Sequence, residues 1–226
     1  MAYNRGVTLP VLQETKLRVT EVFHSIQGES TLAGNPCTFI RLTGCNLRCS
    51  WCDTAYAFHG GEWRTVSELL TLVGTYGARC VEITGGEPLL QPGVTHLADA
   101  LLDAGYIVLC ETSGERDIGI LSSRVHRIVD IKAPSSGESH RNRWGNLEQL
   151  GPRDEVKVVV ADRDDFEWAV EVIERHRLVG RVPVSLSPVW ESLSPADLAE
   201  WILSSKLELR LNLQLHKVLW GDTPGR

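Results

Sequence analysis

From residue 65 onward the sequence alternates between two kinds of segment. Short apolar runs such as Cys80–Ile83 and Glu155–Val160 predict buried strands, and the longer amphipathic stretches between them predict helices. Strands that alternate with helices form a mostly parallel sheet covered by helices. About six such units in roughly 200 residues are too few for an eight-unit barrel. We therefore expect an α/β fold that is either a partial barrel or an open doubly wound sheet.

The same patterns predict where the individual strands and helices begin and end. Ser194 and Pro195 mark the start of one helix, and Thr65 or Ser67 is expected to cap another. An irregular stretch is predicted at 133–153, and a loose N-terminal arm at 1–17. The predicted strands are 20–23, 38–42, 80–83, 107–110, 127–131, 155–160, 183–186 and 209–213, and the predicted helices are 65–73, 94–102, 164–177 and 195–203.

Composition narrows the class of protein. The chain has 226 residues, 42% of them hydrophobic, and a net charge of −6, which fits one globular domain over 1–226. No apolar run approaches the ~20 residues of a membrane span, and no secretion signal is recognisable. No cluster of Lys and Arg forms a surface for nucleic acid. We expect a cytoplasmic protein that binds neither membranes nor nucleic acid.

Polar residues follow the predicted strands at the edge where parallel α/β sheets carry their sites. Thr84-Gly85-Gly86-Glu87 follows one strand, and Glu111 and Ser113 follow the next. Lys132, Ser187 and His216 come after later strands. These residues are therefore the first candidates for a functional site.

Three of the six cysteines are clustered. Cys45, Cys49 and Cys52 have the spacing C-x3-C-x2-C, and in a reducing compartment clustered thiols indicate metal binding or catalysis. A zinc site would need a fourth ligand, which Cys37 or His59 could supply. A redox disulfide is another alternative, and a third is a four-iron cluster held through three of its irons. Cys37, Cys80 and Cys110 lie in strand patterns and are predicted to be core thiols.

The cysteine spacing and the Thr84–Pro88 motif resemble the radical S-adenosylmethionine (SAM) superfamily. The resemblance implies a 4Fe-4S cluster on Cys45, Cys49 and Cys52, with SAM chelating the open iron. It also implies that Thr84, Gly85, Gly86 and Glu87 hold the amino group of SAM. The cluster would cleave SAM to a 5′-deoxyadenosyl radical, and the protein would position the reactants and exclude water. The alternative interpretation of Thr84–Pro88 is an ordinary strand-to-helix turn.

Other segments resemble one family more closely, the 7-carboxy-7-deazaguanine synthases. They are Glu21–Ser30, Phe39–Leu47, Asp53-Thr54 and Gln214–Lys217, and the resemblance spans roughly residues 20–220. It implies a modified, incomplete barrel and a homodimer. The implied reaction is the radical ring contraction of 6-carboxy-5,6,7,8-tetrahydropterin to 7-carboxy-7-deazaguanine, with loss of ammonia and help from Mg²⁺. One departure is Ser30, where many members have glycine.

The resemblance also implies roles for individual residues, each with a structural alternative such as an ion pair or a cap. Substrate-binding residues would be Gln27, Gly28, Glu29, Arg41 and His216, and Thr54 would bind Mg²⁺. The side chains that face the ribose and carboxylate of SAM would be Glu111, Ser113, Lys132 and, more weakly, Ser187. Amide, carboxylate and guanidinium groups suit the edge and carboxylate of a pterin.

Two rival interpretations remain at this level. A glycyl-radical activase would share the cysteines and the Thr84–Pro88 motif, but would not need Gln27, Glu29, Arg41 and His216 around a small planar substrate. A zinc-stabilised binding module would need only the cysteines. For the enzyme, a flavodoxin-like electron donor is expected.

Overall fold

The computed structural model describes residues 14–221, 223 and 225. Its strands are β1 Lys16–Ile26, β2 Pro36–Leu42, β3 Glu62–Thr65, β4 Cys80–Gly85, β5 Ile107–Thr112, β6 His126–Lys132, β7 Glu155–Val160, β8 Val184–Pro188 and β9 Arg210–Leu211. Its α-helices are α1 Val66–Tyr76, α2 Val94–Asp103, α3 Arg163–Arg175, α4 Pro195–Ser205 and α5 Leu215–Trp220.

All of these strands belong to one sheet that does not close. Its order is β3-β1-β2-β4-β5-β6-β7-β8-β9. β1 pairs antiparallel with β2 and β3, and every pair from β2–β4 to β8–β9 is parallel. Within the described part of the chain β3 and β9 remain the two edges. The sequence-based expectation of a partial parallel barrel is therefore confirmed.

The helices begin where the sequence indicates. Thr65 accepts a hydrogen bond from the backbone N–H of Glu68, and the Glu68 side chain accepts one from Thr65, so α1 opens with a full capping box. Ser194 caps α4, with Pro195 in its first turn, as predicted. Asp162 caps α3 through the N–H of Asp165.

Two apolar clusters fill the space between the sheet and its helices. The first joins β1, β2, β4 and β5 to α1 and α2, and the second joins β6, β7 and β8 to α3 and α4. Because side chains alternate along a strand, Val81 and Ile83 of β4 face the helices while Cys80 packs on the opposite face. That opposite face is the interior of the partial barrel.

The structure corrects the boundary of the predicted arm and adds two short elements. Residues 1–13 of the predicted arm lie outside the described residues, but Lys16 and Leu17 belong to β1 and Leu17 is fully buried. The arm is therefore shorter than predicted. β3 and α5 were not predicted, because each is too short to show a period. The stretch 133–153 is irregular as predicted and consists of 3₁₀ turns. None of the described helices has the length and apolarity needed to cross a membrane.

The position of Leu17 predicts a stability effect. Leu17→Ala should lower the free energy of unfolding by about 2–5 kcal/mol, because it leaves a cavity in the first apolar cluster. Leu203→Ala is the matched control, since Leu203 is 72% exposed and its loss should change stability by less than about 0.5 kcal/mol. Urea unfolding followed by circular dichroism measures both, and equal effects would contradict the placement of β1 in the core.

Candidate active site

One cavity of about 810 Å³ opens at the carboxyl ends of the parallel strands. Glu87 and Ser187 are the two predicted site residues that do not line it. The predicted site residues that do line it are Gln27, Gly28, Glu29, Arg41, Cys45, Cys49, Cys52, Thr54, Thr84, Gly85, Gly86, Glu111, Ser113, Lys132 and His216.

The clustered cysteines form one wall of the cavity. All three are partly exposed free thiols, whereas Cys37, Cys80 and Cys110 are buried, as predicted for core thiols. Burial raises the pKa of Cys45, and it raises the pKa of Cys49 to about 11 against the opposing charge of Lys132. Among the described residues, no three His, Cys, Asp or Glu side chains converge as they would around a single metal ion.

The irregular stretch after β6 supports the cysteine loop. The Ser50 hydroxyl donates to the carbonyl of Ser135 at 2.6 Å, and the Ser50 N–H donates to the carbonyl of Ser136 at 3.1 Å. The N–H of Arg48 donates to a carboxylate oxygen of Glu138 at 2.6 Å. Residues 48 and 50 flank Cys49, so these bonds hold the middle cysteine.

Gly85 and Gly86 let β4 approach the cysteine loop closely. Gly85 has φ +145°, and a Cβ there would lie 2.2 Å from the carbonyl oxygen of Leu42. A Cβ on Gly86 would lie 2.2 Å from the carbonyl oxygen of Gly44 and 2.7 Å from the Cβ of Cys45. The two glycines are needed because any larger residue would push the loop away.

The carboxylate of Glu87 is hydrogen-bonded on both oxygens by neighbouring residues. Its Oε1 accepts from the N–H of Leu89 and the hydroxyl of Thr112, at 2.9 and 2.8 Å. Its Oε2 accepts from the N–H and hydroxyl of Ser113, at 2.7 and 2.6 Å. A carboxylate has about four acceptor positions, so four donors fill it. Glu87 thereby joins the ends of β4 and β5, and its contact with SAM stays a prediction.

The segment after β1 brings Gln27 and Glu29 into the cavity. The Gln27 amide donates to the carboxyl of Glu82, and its oxygen accepts from the N–H of Glu29 at 3.0 Å. Glu29 accepts from the ammonium of Lys157 and, at 2.7 Å, from the amide of Gln214. Both predicted residues are therefore buried and held in one orientation.

Ser30 departs from glycine in a backbone conformation that favours glycine. Its φ is +66°, in the left-handed region. The Ser30 hydroxyl accepts from the N–H of Leu32 at 3.1 Å, a local bond that accompanies the strained conformation. The substitution therefore keeps the path of the chain next to Glu29.

The C-terminal segment closes the cavity against Gly28. The N–H of Leu215 donates to the carbonyl of Gly28 at 2.9 Å. The His216 ring takes the space that a Cβ on Gly28 would fill, at 2.2 Å from Nδ1. Burial lowers the pKa of His216, so the ring is neutral at neutral pH. Any contact from His216 to a substrate carboxylate would then be an N–H donor rather than a charge.

Arg41 lines the cavity beside an acidic neighbour. Its Nε lies 2.7 Å from Glu21 Oε1, and its guanidinium lies over the rings of Phe23 and Tyr56. Arg41 therefore pairs with Glu21 through Nε and still lines the cavity, because Glu21 does not use its other two guanidinium nitrogens.

Asp53 and Thr54 connect the cysteine loop to α5. The Thr54 hydroxyl donates to Asp53 Oδ1 at 2.8 Å, and Lys217 Nζ lies 3.0 Å from Asp53 Oδ2. Burial opposes ionisation, but the ammonium of Lys217 lowers the pKa of Asp53 to about 2. A carboxylate and a hydroxyl thus stand side by side at the cavity wall.

Lys132 and Ser187 differ in their relation to the cavity. Lys132 lines it and donates to Asp130 Oδ2 at 2.8 Å. Asp130 Oδ1, also at the cavity, is buried and accepts no hydrogen bond from any residue between 14 and 221. Ser187 is buried, accepts from the Asn212 amide at 2.9 Å and does not line the cavity, and its contact with SAM stays a prediction.

Comparison with known proteins fits this geometry. Residues 39–200 match the radical SAM superfamily. The chain is 45% identical over 211 residues to the 7-carboxy-7-deazaguanine synthase of Chlorobaculum tepidum, covering 92% of this chain and 96% of the relative. The corresponding enzyme of Koribacter versatilis is 43% identical over 219 residues, covering 90% and 97%.

The chain belongs to the 7-carboxy-7-deazaguanine synthases, a family of radical SAM lyases. The crystal structure of QueE from Escherichia coli agrees in fold, with a TM-score of 0.75 and 26% identity over 89% of this chain and 95% of that one. These matches favour the synthase over the glycyl-radical activase and the zinc-stabilised module.

Membership of the radical SAM superfamily implies a 4Fe-4S cluster and SAM, and the synthase cavity fits both. Three partly exposed thiols would hold three irons of such a cluster and leave the fourth iron open for SAM. Gly85 and Gly86 keep the backbone next to Cys45 free of side chains. The unpartnered Asp130 Oδ1 offers an acceptor for a hydroxyl of the bound cofactor.

Sequence reasoning missed several residues of the cavity. Glu82, Asp130 and Lys157 stand in the middle of apolar strands, where a charged residue is rare unless it is paired or functional. That signal was present in the sequence. Gln214 and Lys217 lie in the Gln-x-His-Lys motif, but their partners Glu29 and Asp53 are distant in sequence and only the fold identifies them.

The contact between Gly86 and the cysteine loop gives a prediction. Gly86→Ala should lower the iron and sulfide content of anaerobically reconstituted protein severalfold, because the methyl group displaces Cys45. Gly145→Ala is the matched control, since nothing lies within 4 Å of its Cβ position. Iron and sulfide assays with electron paramagnetic resonance measure both proteins. Full cluster content in Gly86→Ala would contradict the assigned contact.

Proposed function

We propose that this enzyme converts 6-carboxy-5,6,7,8-tetrahydropterin to 7-carboxy-7-deazaguanine with loss of ammonia. The observation that carries the proposal is the convergence of Gln27 and Glu29 with Cys45, Cys49 and Cys52 in one cavity. The names of the relatives point to the same product. Gln27 and Glu29 supply the amide and carboxylate groups that suit the edge of a small planar substrate.

Cys45, Cys49 and Cys52 would hold the cluster, and the cluster together with SAM would supply the radical chemistry that removes a hydrogen atom from C6 of the substrate. The protein's own task is to present that hydrogen at a fixed point and to keep water out. Thr84, Gly85 and Gly86 lie beside the cysteine loop and would take the methionine part of SAM. Glu111 and Asp130 would accept from its ribose, while Lys132 offers an ammonium to its carboxylate.

Glu29 would recognise the aminopyrimidinone edge of the pterin. Two of its acceptor positions are used by Lys157 and Gln214, which leaves about two for N–H donors of the ring. Gln27 adds an amide whose orientation Glu82 and Glu29 fix. Arg41 and His216 would hold the substrate carboxylate through N–H donors.

Thr54 would contribute to a magnesium site at the substrate carboxylate. Mg²⁺ prefers hard oxygen ligands, keeps several waters and takes few protein groups. The Thr54 hydroxyl and the neighbouring Asp53 carboxylate provide such oxygens at the cavity wall. The metal would fix the carboxylate and offset charge that develops during the ring contraction.

We also propose that the enzyme works as a cytoplasmic homodimer with a flavodoxin-like electron donor. These expectations come from the family. Size-exclusion chromatography with light scattering tests the dimer, and turnover with reduced flavodoxin in place of dithionite tests the donor.

The test of the function is an anaerobic assay with the pterin, SAM and a reductant, read by mass spectrometry. Formation of 7-carboxy-7-deazaguanine with release of ammonia is the expected result. A protein with a full cluster that leaves the pterin unchanged would overturn the proposal.

Glu29→Ala should raise the Kd for the pterin about tenfold or more, because a buried edge of the ring loses its acceptor.

The cysteines make a second prediction. Alanine at Cys45, Cys49 or Cys52 should abolish both the cluster and turnover, because three ligands leave none to spare. Cys80→Ala and Cys110→Ser are the matched controls, since these thiols are buried outside the cavity and should leave the cluster in place. Iron analysis and turnover are measured together, and a fully loaded, active Cys49→Ala would refute the ligand assignment.

Magnesium makes a third prediction. Chelation of Mg²⁺, or Thr54→Ala, should slow product formation while the iron content and the Kd for SAM stay unchanged. Thr95→Ala is a suitable control, because Thr95 lies on α2 and does not line the cavity. Equal rates for the wild type before and after chelation would show that the metal has no role here.

A further inference from the structure

We propose that Lys157 is a positioning residue that fixes the substrate-binding and cofactor-binding halves of the cavity relative to each other. The inference rests on the proposed function for the roles of Glu29 and Glu111. The ammonium of Lys157 donates to Glu29 Oε2 and, at 2.5 Å, to Glu111 Oε1. One buried cation therefore links the carboxylate proposed for the pterin to the carboxylate proposed for SAM.

The two carboxylates come from separate parts of the chain. Glu29 lies in the segment after β1, and Glu111 lies on β5. β1 and β5 are not neighbours in the sheet, so no strand pairing sets the distance between these side chains. Lys157 stands on β7, paired with β6 and β8, and its Cα is thus held from both sides. Its ammonium is the direct link between the two.

The other carboxyl groups near Lys157 in the cavity have other principal partners. Asp130 lies 2.8 Å from the ammonium of Lys132 and 3.9 Å from that of Lys157. Burial and the nearby Glu111 raise the pKa of Glu82 well above its usual range, and the Glu82 carboxyl accepts from the Gln27 amide rather than from Lys157. Glu29 and Glu111 are then the two carboxylates that share Lys157.

Losing this ammonium should affect both ligands at once. Without it, the carboxylates of Glu29 and Glu111 would face each other with no shared cation, and nothing would hold the one at a fixed distance from the other. The separation between the pterin and the ribose would also be less defined, and a misplacement of ~1 Å can cost ~100-fold in rate.

The experiment compares Lys157→Met, Lys157→Arg and wild type as anaerobically reconstituted enzymes. Calorimetry gives the Kd for the pterin and the Kd for SAM, and mass spectrometry gives the 5′-deoxyadenosine released per product. In Lys157→Met both Kd values should rise about tenfold or more, and more 5′-deoxyadenosine should be released per product. Lys157→Arg keeps the charge and should recover part of each loss.

Three control variants separate positioning from a general loss of stability. Glu29→Gln should weaken the pterin alone, and Glu111→Gln should weaken SAM alone. Arg127→Met removes a different buried cation, the partner of Asp154, which does not line the cavity. It should lower the thermal midpoint but leave both Kd values within about twofold of wild type.

Two results would overturn the proposal. One is a folded Lys157→Met with both Kd values and the 5′-deoxyadenosine ratio unchanged. Lys157→Gln replaces Lys157→Met if the latter does not fold, because it removes the charge but keeps two N–H donors. The second contradicting result is a Lys157→Gln enzyme with both Kd values unchanged. A wild-type enzyme that makes no product from the pterin would instead refute the proposed function, and the Kd for SAM would still test the link to Glu111.

Discussion

The carboxylate of Glu87 holds together the parts of the chain on which the cavity depends. It accepts bonds from Leu89, Thr112 and Ser113, and so fixes the end of β4 against the end of β5. The N–H of Glu87 donates to the carbonyl of Gly44 at 2.8 Å, which ties the same turn to the start of the cysteine loop. A buried carboxylate without these donors would be costly, so the turn and its neighbours stabilise one another. Glu87 therefore acts on the site through the backbone it organises.

The interior of the barrel is divided into an apolar end and a charged end. Cys37, Phe39 and Cys80 pack together at one end with Leu109 and Ile128. Further along the same strands the inward positions are polar: Glu82 follows Cys80 at a spacing of two, and Glu111 follows Leu109 likewise. The outward positions of both strands stay apolar and pack under the helices. The period of two thus lets one strand serve the core and the site at once.

The parts of this fold that were predictable from sequence are those with local signals. Alternating strands and helices, the cap at Ser194 and the glycines of Thr84–Glu87 all follow from residues near one another in the chain. The hydrogen bonds of Glu87 could not be predicted from the sequence. A glutamate that accepts from four protein donors and a glutamate that binds an ammonium group look the same in the sequence. The same limit applies to Lys157, whose partners lie 128 and 46 residues away. A charge within an apolar strand indicates that a partner exists, but only the packing of strands identifies it.

The C-terminal segment shows how closely folding and site formation are linked. α5 has six residues, too few for an isolated helix to be stable in water. It is held by contacts with the cavity: Gln214 bonds Glu29, Leu215 bonds the backbone of Gly28, and Lys217 pairs with Asp53. The first two contacts reach the segment after β1, and the third reaches the tail of the cysteine loop. Because the sheet is open between β3 and β9, no strand pairing among residues 14–221 closes this side of the barrel. The residues that place His216 at the cavity are therefore the same ones that dock the helix, so the docking of α5 and the formation of this part of the cavity stabilise each other.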